Sequence, residues 1–353
     1  MFRGFLRAFF LCFLLLTVLF AGAVAVVDPY YRYHPPVAGL PLRLVDGRYQ
    51  NPGVARNFPY DSLLLGTSVT ANFDPAVLDR ALGCRTQKLI VLGGFFSDFD
   101  ACLEAAFGSR TIDRVFWGLD SNILLRSEDE KTDQLPDYLY HTSPLGDLSY
   151  LLNKEMFFWD VSDVLALKRQ GRSADQRGGF TWGEDIVWSR SEALANYPRP
   201  EVSQDQQPAD GFLENARSNW EVVLKYVQAH PETQFTLYMA PYSILYWDMT
   251  IRNGDLDAVL TAQQWILEQA AAQPNVEMFY FMDDWPVMSD LDNYCDYIHY
   301  SPEICLRLEE TMAAGEGITA EEIPGRMADF RAALLAWDYE QYFPAGQNNE
   351  TNP

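Results

Sequence analysis

The fold is decided by the stretch Asp61-Ser62-Leu63-Leu64-Leu65-Gly66-Thr67-Ser68, in which an apolar run leads into a glycine and two hydroxyl side chains. A short continuous apolar run is typical of a strand buried on both faces of a parallel sheet. A helix is predicted next, from Asp74 to Leu82, because Asp74 suits its amino end and Gly83 suits its stop. The segment therefore predicts a strand, a turn that carries Ser68, and a helix.

The same alternation continues along the chain. Further strands are predicted at 88–92, 114–119, 234–240 and 276–281, and further helices at about 97–107, 211–229, 255–273, from 301 onward and 320–337. Continuous apolar strands separated by helices indicate a parallel sheet covered on both faces. We therefore predict an α/β fold with a three-layer doubly wound sheet of about five parallel strands. Such sheets bind ligands beyond the carboxyl ends of their strands.

The N-terminus carries an uncharged stretch of twenty residues, from Ala8 to Val27. As a helix it would cross a hydrocarbon core of about 30 Å. Arg3 and Arg7 precede it and predict a cytoplasmic N-terminus, with the bulk of the chain outside the cytoplasm at the cell membrane. The alternative is a cleaved signal peptide, because the small residues at 21–25 offer plausible cleavage sites. Residues 1–27 are thus an anchor or a signal, and the domain is exported in either case.

The remainder is predicted to be one α/β domain at 28–340, with an insertion at about 121–210 and a tail at 341–353. The pattern weakens within the insertion, where only helices near 144–154 and 160–169 are suggested. No repeat of 20 to 50 residues is visible, which argues against a solenoid or a propeller.

The formal charge of −23 disfavours binding to nucleic acid, since phosphates would repel such a surface. The exported part of the chain contains four cysteines, Cys84, Cys102, Cys295 and Cys305. They could form two disulfides outside the cytoplasm, and buried free thiols are an equal alternative. No cysteine or histidine spacing suggests zinc. The acidic cluster at 283–296 lacks the glycine and glutamate of a calcium loop, so neither a metal nor another cofactor is predicted.

Ser68 is the candidate nucleophile. A strand that ends in a tight turn before a helix exposes a serine hydroxyl and leaves backbone N–H groups to bind an oxyanion. The alternative is a serine that only caps a helix or makes a turn. A serine nucleophile also needs a general base, and the spacing Asp296-x-x-His299 offers a histidine beside a carboxylate after the fifth predicted strand. The other histidines, His34, His141 and His230, have structural or solvated contexts.

With these motifs the sequence resembles the SGNH/GDSL hydrolase superfamily, whose fold is flavodoxin-like. Further similar stretches lie at 27–30, 50–53, 60–73, 241–243 and 291–301. They resemble single-span exported Gram-positive members related to the teichoic-acid D-alanylation family, and alginate O-acetylation proteins are similar in layout. The resemblance implies that Ser68 is the nucleophile, His299 the base and Asp296 its orienting acid. It also implies a multi-span partner that delivers the acyl group.

Two positions depart from the family pattern. Thr67 stands where the first block usually has aspartate, and Asp120 stands where the third block usually offers the asparagine of the oxyanion hole. The candidate oxyanion donors are therefore the Ser68 N–H, the N–H of Gly93 or Gly94, and Asn122. Each missing donor costs a factor on the order of 10²–10³ in rate.

Three classes of function follow. The first is a membrane-anchored serine esterase or O-acyltransferase acting on acyl groups of a cell-envelope polysaccharide or glycan. The second is a non-catalytic envelope assembly or glycan-binding protein on the same fold. The third is a metal-dependent hydrolase, which the acidic cluster alone suggests.

Overall fold

The computed structural model describes residues 2–37, 39–127, 137–140, 143–173, 181, 183, 185–203 and 209–343. Five strands form one sheet in the order β2-β1-β3-β4-β5. They are β1 (Ser62–Gly66), β2 (Thr86–Ile90), β3 (Arg114–Gly118), β4 (Gln234–Met239) and β5 (Val276–Tyr280). The predicted α/β fold with a five-stranded parallel sheet and one N-terminal apolar helix is thus confirmed at that level.

Helices precede, connect and follow the strands. Those of the first half are α1 (Phe2–Val27), α2 (Gly47–Asn57), α3 (Ser68–Ala71), α4 (Pro75–Leu82), α5 (Phe96–Phe107), α6 (Ser121–Leu124), α7 (Asp137–Tyr140), α8 (Pro144–Leu151) and α9 (Ser162–Gln170), with a π-helix at Met156–Val161. Those of the second half are α10 (Arg190–Ala195), α11 (Ala209–Ala229), α12 (Ile244–Arg252), α13 (Leu256–Ala271), α14 (Trp285–Met288), α15 (Pro302–Ala314) and α16 (Ile323–Ala336), with 3-10 turns at Leu291–Asn293 and Tyr339–Tyr342.

The chain forms two compact units. Unit 1 comprises Met1–Val115 and Asp129–Trp182, and unit 2 comprises Phe116–Glu128 and Gly183–Pro353. In unit 1, β1 and β2 are paired in parallel and are buried along their whole length. In unit 2, β4 and β5 are paired in parallel, and α11 packs against α13.

Local sequence explains the best-predicted elements. Asp74 caps α4 by accepting the Ala76 N–H, and Gly83 ends the helix in the left-handed conformation at φ +68°. A left-handed residue at this position is the usual helix stop and favours glycine. The predicted helices near 144–154 and 160–169 are found as α8 and α9. The predicted tail from Pro344 onward lies outside the described residues.

Candidate active site

The centre of the site in unit 2 is a contact between Asp296 and His299. Asp296 Oδ2 lies 2.6 Å from His299 Nδ1. The other carboxylate oxygen accepts the backbone N–H groups of Ile298, at 2.8 Å, and of His299, at 2.7 Å. The three-residue spacing therefore lets one carboxylate close a tight turn and orient the imidazole. The structure brings together these two predicted residues as a hydrogen-bonded pair.

The electrostatics of the pair favour an ionised carboxylate. Burial raises the pKa of Asp296, but the hydrogen bond and charge attraction from His299 and the two backbone N–H bonds together outweigh burial, so the pKa lies below its usual value. A carboxylate at Nδ1 favours the tautomer that has its proton there, which makes Nε2 the basic nitrogen of the neutral ring. With 18% of the His299 side chain exposed, the ring is shielded and still accessible.

The loop that carries the pair is held at both ends. Its ends meet in an antiparallel bridge between Tyr294 and Tyr300, and the Cys295 N–H donates to His299 O at 3.2 Å. Ser243, which follows β4, donates both its backbone N–H, at 3.1 Å, and its hydroxyl, at 2.9 Å, to Tyr297 O. These bonds fix the backbone on both sides of the imidazole.

Most carboxylates of the acidic cluster at 283–296 bind other groups of the protein. Asp283 makes a two-pronged contact with Arg326, at 2.5 and 2.7 Å. Asp284 accepts from Arg307 at 2.7 Å, and Asp292 accepts the backbone N–H of Arg190 at 2.8 Å. Across the described residues, no group of three or more histidine, cysteine, aspartate or glutamate side chains is arranged to hold a metal ion.

Ser68 lies in unit 1, where it is the half-buried first residue of α3, two residues beyond the end of β1. The turn requires glycine at position 66, because a Cβ there would lie 2.0 Å from Thr70 Oγ1. The Thr70 N–H donates to Thr67 O at 3.1 Å and closes the first turn of α3. Thr67, at the position where the family pattern has aspartate, is buried.

Lys88, on β2, is a supporting residue that sequence reasoning missed. Its side chain is fully buried. Its Nζ donates to Ala71 O and, at 3.2 Å, to Phe73 O, so it binds the carbonyl end of the short helix that begins at Ser68. The one sequence signal for this role is a lysine next to the apolar residues of a buried strand. A buried ammonium requires several acceptors, so such a lysine indicates a structural binding role.

The candidate oxyanion donors Gly93, Gly94 and Asn122 have different local surroundings. Gly93 is exposed at φ +60° in unit 1, after the end of β2. The Gly94 N–H donates to Val91 O at 2.9 Å, and the Asn122 N–H donates to Asp120 Oδ1 at 3.1 Å in unit 2. A tight turn therefore already uses the Gly94 N–H, and the role of Gly94 as an oxyanion donor stays a prediction. For Asn122 the side-chain amide is the remaining donor, and Gly93 stays a prediction.

Asp120 has a structural role in unit 2. Besides capping α6, its carboxylate accepts the hydroxyl of Tyr242, which is fully buried. Burial and then the Asp120 charge raise the pKa of Tyr242 well above its usual value, which keeps the phenol protonated as a donor. Burial, Asp296 and Asp120 together raise the pKa of Tyr297, so both carboxylates act on one phenol.

The remaining predicted features have ordinary surroundings. His34 lies 2.7 Å from Pro35 O and 3.0 Å from Ala25 O, and His230 lies 3.5 Å from Glu232. His141 lies outside the described residues. All five cysteines are free thiols, so neither possible disulfide is present.

Comparisons with known proteins add little to this geometry. No protein-family profile matches the chain, and no curated protein sequence matches it. One similar solved structure is described as "a putative platelet activating factor from Streptococcus pneumonia", with 12% identity, a TM-score of 0.41, and coverage of 74% of this chain and 88% of that chain. At this distance the likeness carries no argument about activity.

Proposed function

We propose that the protein is a membrane-anchored, extracytoplasmic serine esterase or O-acyltransferase. Its substrates would be acyl groups on a cell-envelope polysaccharide or glycan. Ser68 is the nucleophile, His299 the general base and Asp296 the residue that orients and stabilises the imidazole. The Asp296–His299 pair carries this proposal, because an ionised carboxylate at Nδ1 is the arrangement that makes an imidazole a directed base.

The proposed reaction has two acyl transfers. Ser68 Oγ attacks the acyl carbonyl carbon while His299 Nε2 takes the hydroxyl proton, and the imidazolium then returns that proton to the departing alcohol oxygen. The acyl group is now an ester of Ser68. In the second step the same base removes a proton from water or from a sugar hydroxyl, which attacks the ester and regenerates the serine. The identity of that second nucleophile decides between hydrolysis and transfer.

The packing of α1 supports an anchor that stays on the protein. α1 is the one described helix long and apolar enough to cross a membrane, with a mean hydropathy of 2.8 over its most apolar window. Val24, near its end, is fully buried within unit 1. Cleavage after Ala23 or Ala25 would break the helix at this buried position. In this proposal the chain is held in the cell membrane by its single span, and its partners are an envelope glycan and a multi-span protein that delivers the acyl group.

A fluorophosphonate probe tests the nucleophile in full-length protein held in detergent or vesicles. We expect covalent labelling that disappears in Ser68→Ala and falls strongly in His299→Ala. Ser191→Ala, which removes an exposed serine of α10, is the matched control and should label as the wild type does. Labelling that persists in Ser68→Ala, or wild-type protein that never labels, would refute the catalytic role of this serine.

A second test asks whether the two residues act as one unit. Ester hydrolysis is measured for Ser68→Ala, His299→Ala and the double variant. Residues that act in one mechanism are non-additive, so the double variant should be no worse than the poorer single variant. A loss equal to the product of the two single losses would contradict a shared mechanism.

Two observations favour a non-catalytic role on the same fold. The Gly94 N–H is occupied, and a carboxylate stands at position 120 where an oxyanion donor is expected. An envelope assembly or glycan-binding protein needs neither donor. In that case Ser68→Ala and His299→Ala would leave the cellular phenotype unchanged while deletion of the whole gene alters it.

A further inference from the structure

The end of α1 is built into unit 1 and is no flexible tether. The Phe20 ring stacks on Phe157 of the π-helix, with centroids 4.3 Å apart and planes 23° apart. Directly after α1, the fully buried Asp28 accepts the Tyr150 hydroxyl of α8 at 2.7 Å. Its carboxylate also accepts the backbone N–H groups of Arg32, Tyr33 and His34, at 2.8 to 3.0 Å. α1, α8 and the π-helix are therefore one packed assembly.

The length of α1 sets the depth of that assembly. An α-helix rises about 1.5 Å per residue, so Phe20 lies about 20 Å along the axis from Arg7, whereas the hydrocarbon core is about 30 Å thick. With Arg7 at the cytoplasmic boundary, only Val27 reaches the outer boundary. Phe20 then lies inside the outer leaflet, and helix tilt would place it deeper. Phe157 stacks on Phe20, so it shares this depth.

The surface next to this contact is apolar and exposed. We call it the α8–π patch, and it consists of Leu145, Leu148, Leu152, Phe158 and Trp159, whose exposed fractions lie between 46% and 77%. The leucines recur at helical spacing along α8 and its end, while the aromatic residues project from the π-helix. The Phe158 ring packs edge-on against Phe157 at 5.2 Å, so the patch is continuous with the ring that contacts α1.

We propose that the α8–π patch enters the lipid at the outer face of the membrane, beside α1. The inference rests on the part of the proposed function that keeps α1 in the membrane, and it does not depend on catalysis. Large apolar side chains that include tryptophan are typical of segments that lie in the boundary between headgroups and acyl chains, at a depth of about 5–10 Å. By the same arithmetic Phe157 lies about 10 Å below the outer boundary, at the deep limit of that range. The domain is thus held to the bilayer by two contacts, the span and this patch.

Depth-dependent quenching tests the proposal on full-length protein reconstituted in phosphatidylcholine vesicles. An environment-sensitive fluorophore is attached at Leu148→Cys or Trp159→Cys, in a background in which Cys12 and Cys84 are replaced. Leu92→Cys, an exposed leucine of unit 1 beyond β2, is the matched control. We expect patch labels to be quenched by lipids with a spin label high on the acyl chain and to resist aqueous iodide. The control label should show the opposite behaviour.

Three results would overturn the proposal. Patch labels quenched by iodide as strongly as the Leu92→Cys label would show that the patch faces water. Labels protected from both quenchers would show that protein, such as a second copy of this chain, covers it. In a separate sample, a label on Cys12 that escapes deep lipid quenchers would remove α1 from the membrane and the proposal with it. Loss of fluorophosphonate labelling bears on catalysis alone, so the two failures are distinguishable.

Discussion

Asp296 contacts His299 twice, through its ring Nδ1 at 2.6 Å and through its backbone N–H at 2.7 Å. One carboxylate thus shapes the turn and orients the ring that the turn carries. A residue with both roles links the geometry of the site to its protonation, and the first two predictions separate these roles.

Replacing Asp296 by asparagine should slow acylation by a factor on the order of 10²–10⁴, because an amide neither stabilises the imidazolium nor selects the productive tautomer. The rate of fluorophosphonate labelling measures this loss. Asp292→Asn is the control on the same loop, since an asparagine can still accept the Arg190 N–H. Equal rates in wild type and Asp296→Asn would contradict the orienting role.

The same substitution should have a pH-dependent effect on stability. Because the pKa of Asp296 is lowered in the folded protein, its ionised form contributes stability that is fully present above the usual carboxyl pKa of about 4. That contribution is lost as the pH falls through the lower pKa of the folded state. We expect the melting-temperature deficit of Asp296→Asn to be largest near neutral pH and to shrink below about pH 4. A deficit that grows on acidification would contradict this linkage; Asp329→Asn, at an exposed position, is the control.

Replacing Asp120 by asparagine should increase the acylation rate by up to about 10²-fold, the scale of one oxyanion donor. Asparagine caps a helix as well as aspartate does, so α6 should persist. Tyr242→Phe is the matched control, because it removes the hydrogen bond to Asp120 and keeps the charge. The rate of fluorophosphonate labelling measures this effect. A lower rate in Asp120→Asn than in the wild type would mean that the carboxylate itself supports the site.

Replacing Lys88 by methionine should destabilise the protein by about 1–3 kcal/mol, because two carbonyl groups at the end of α3 lose a buried donor. We also expect slower acylation, since these carbonyls fix the turn that begins at Ser68. Denaturant unfolding and the labelling rate give the two values. Lys225→Met, at an exposed position on α11, should change neither. An unchanged free energy of unfolding in Lys88→Met would contradict the structural role.

Local signals made much of the fold predictable. α4 was predicted because Asp74 and Gly83 mark both of its ends within the sequence. α2 was missed because its sequence contains Pro52 and Gly53, which usually interrupt helices. Gly53 is needed for a different reason, since a Cβ there would lie 2.1 Å from Tyr30 O. This close approach of two chain segments has no sequence pattern, so the sequence alone did not reveal it.

In the candidate site, too, the contacts set by local sequence were predictable and the contacts between distant positions were not. The pairing of Asp296 with His299 was predictable because only two residues separate them and one turn joins them. The contact of Tyr242 with Asp120 joins positions 122 residues apart, and no local sequence pattern around either residue predicts it. The turn at Gly94 was likewise invisible, because the sequence shows which residues can donate but not which N–H groups the backbone already uses.

The bonds of Asp28 determine what the molecule can reach. A domain joined to its membrane span by a flexible linker could reach polymer at many heights above the bilayer. Here the carboxylate joins the end of α1 to α8, so a membrane that holds the helix also sets the altitude and tilt of unit 1. Under the proposed function, chemistry at Ser68 would then be confined to a thin layer, and a long glycan substrate would present its acylated sugars to that layer one region at a time.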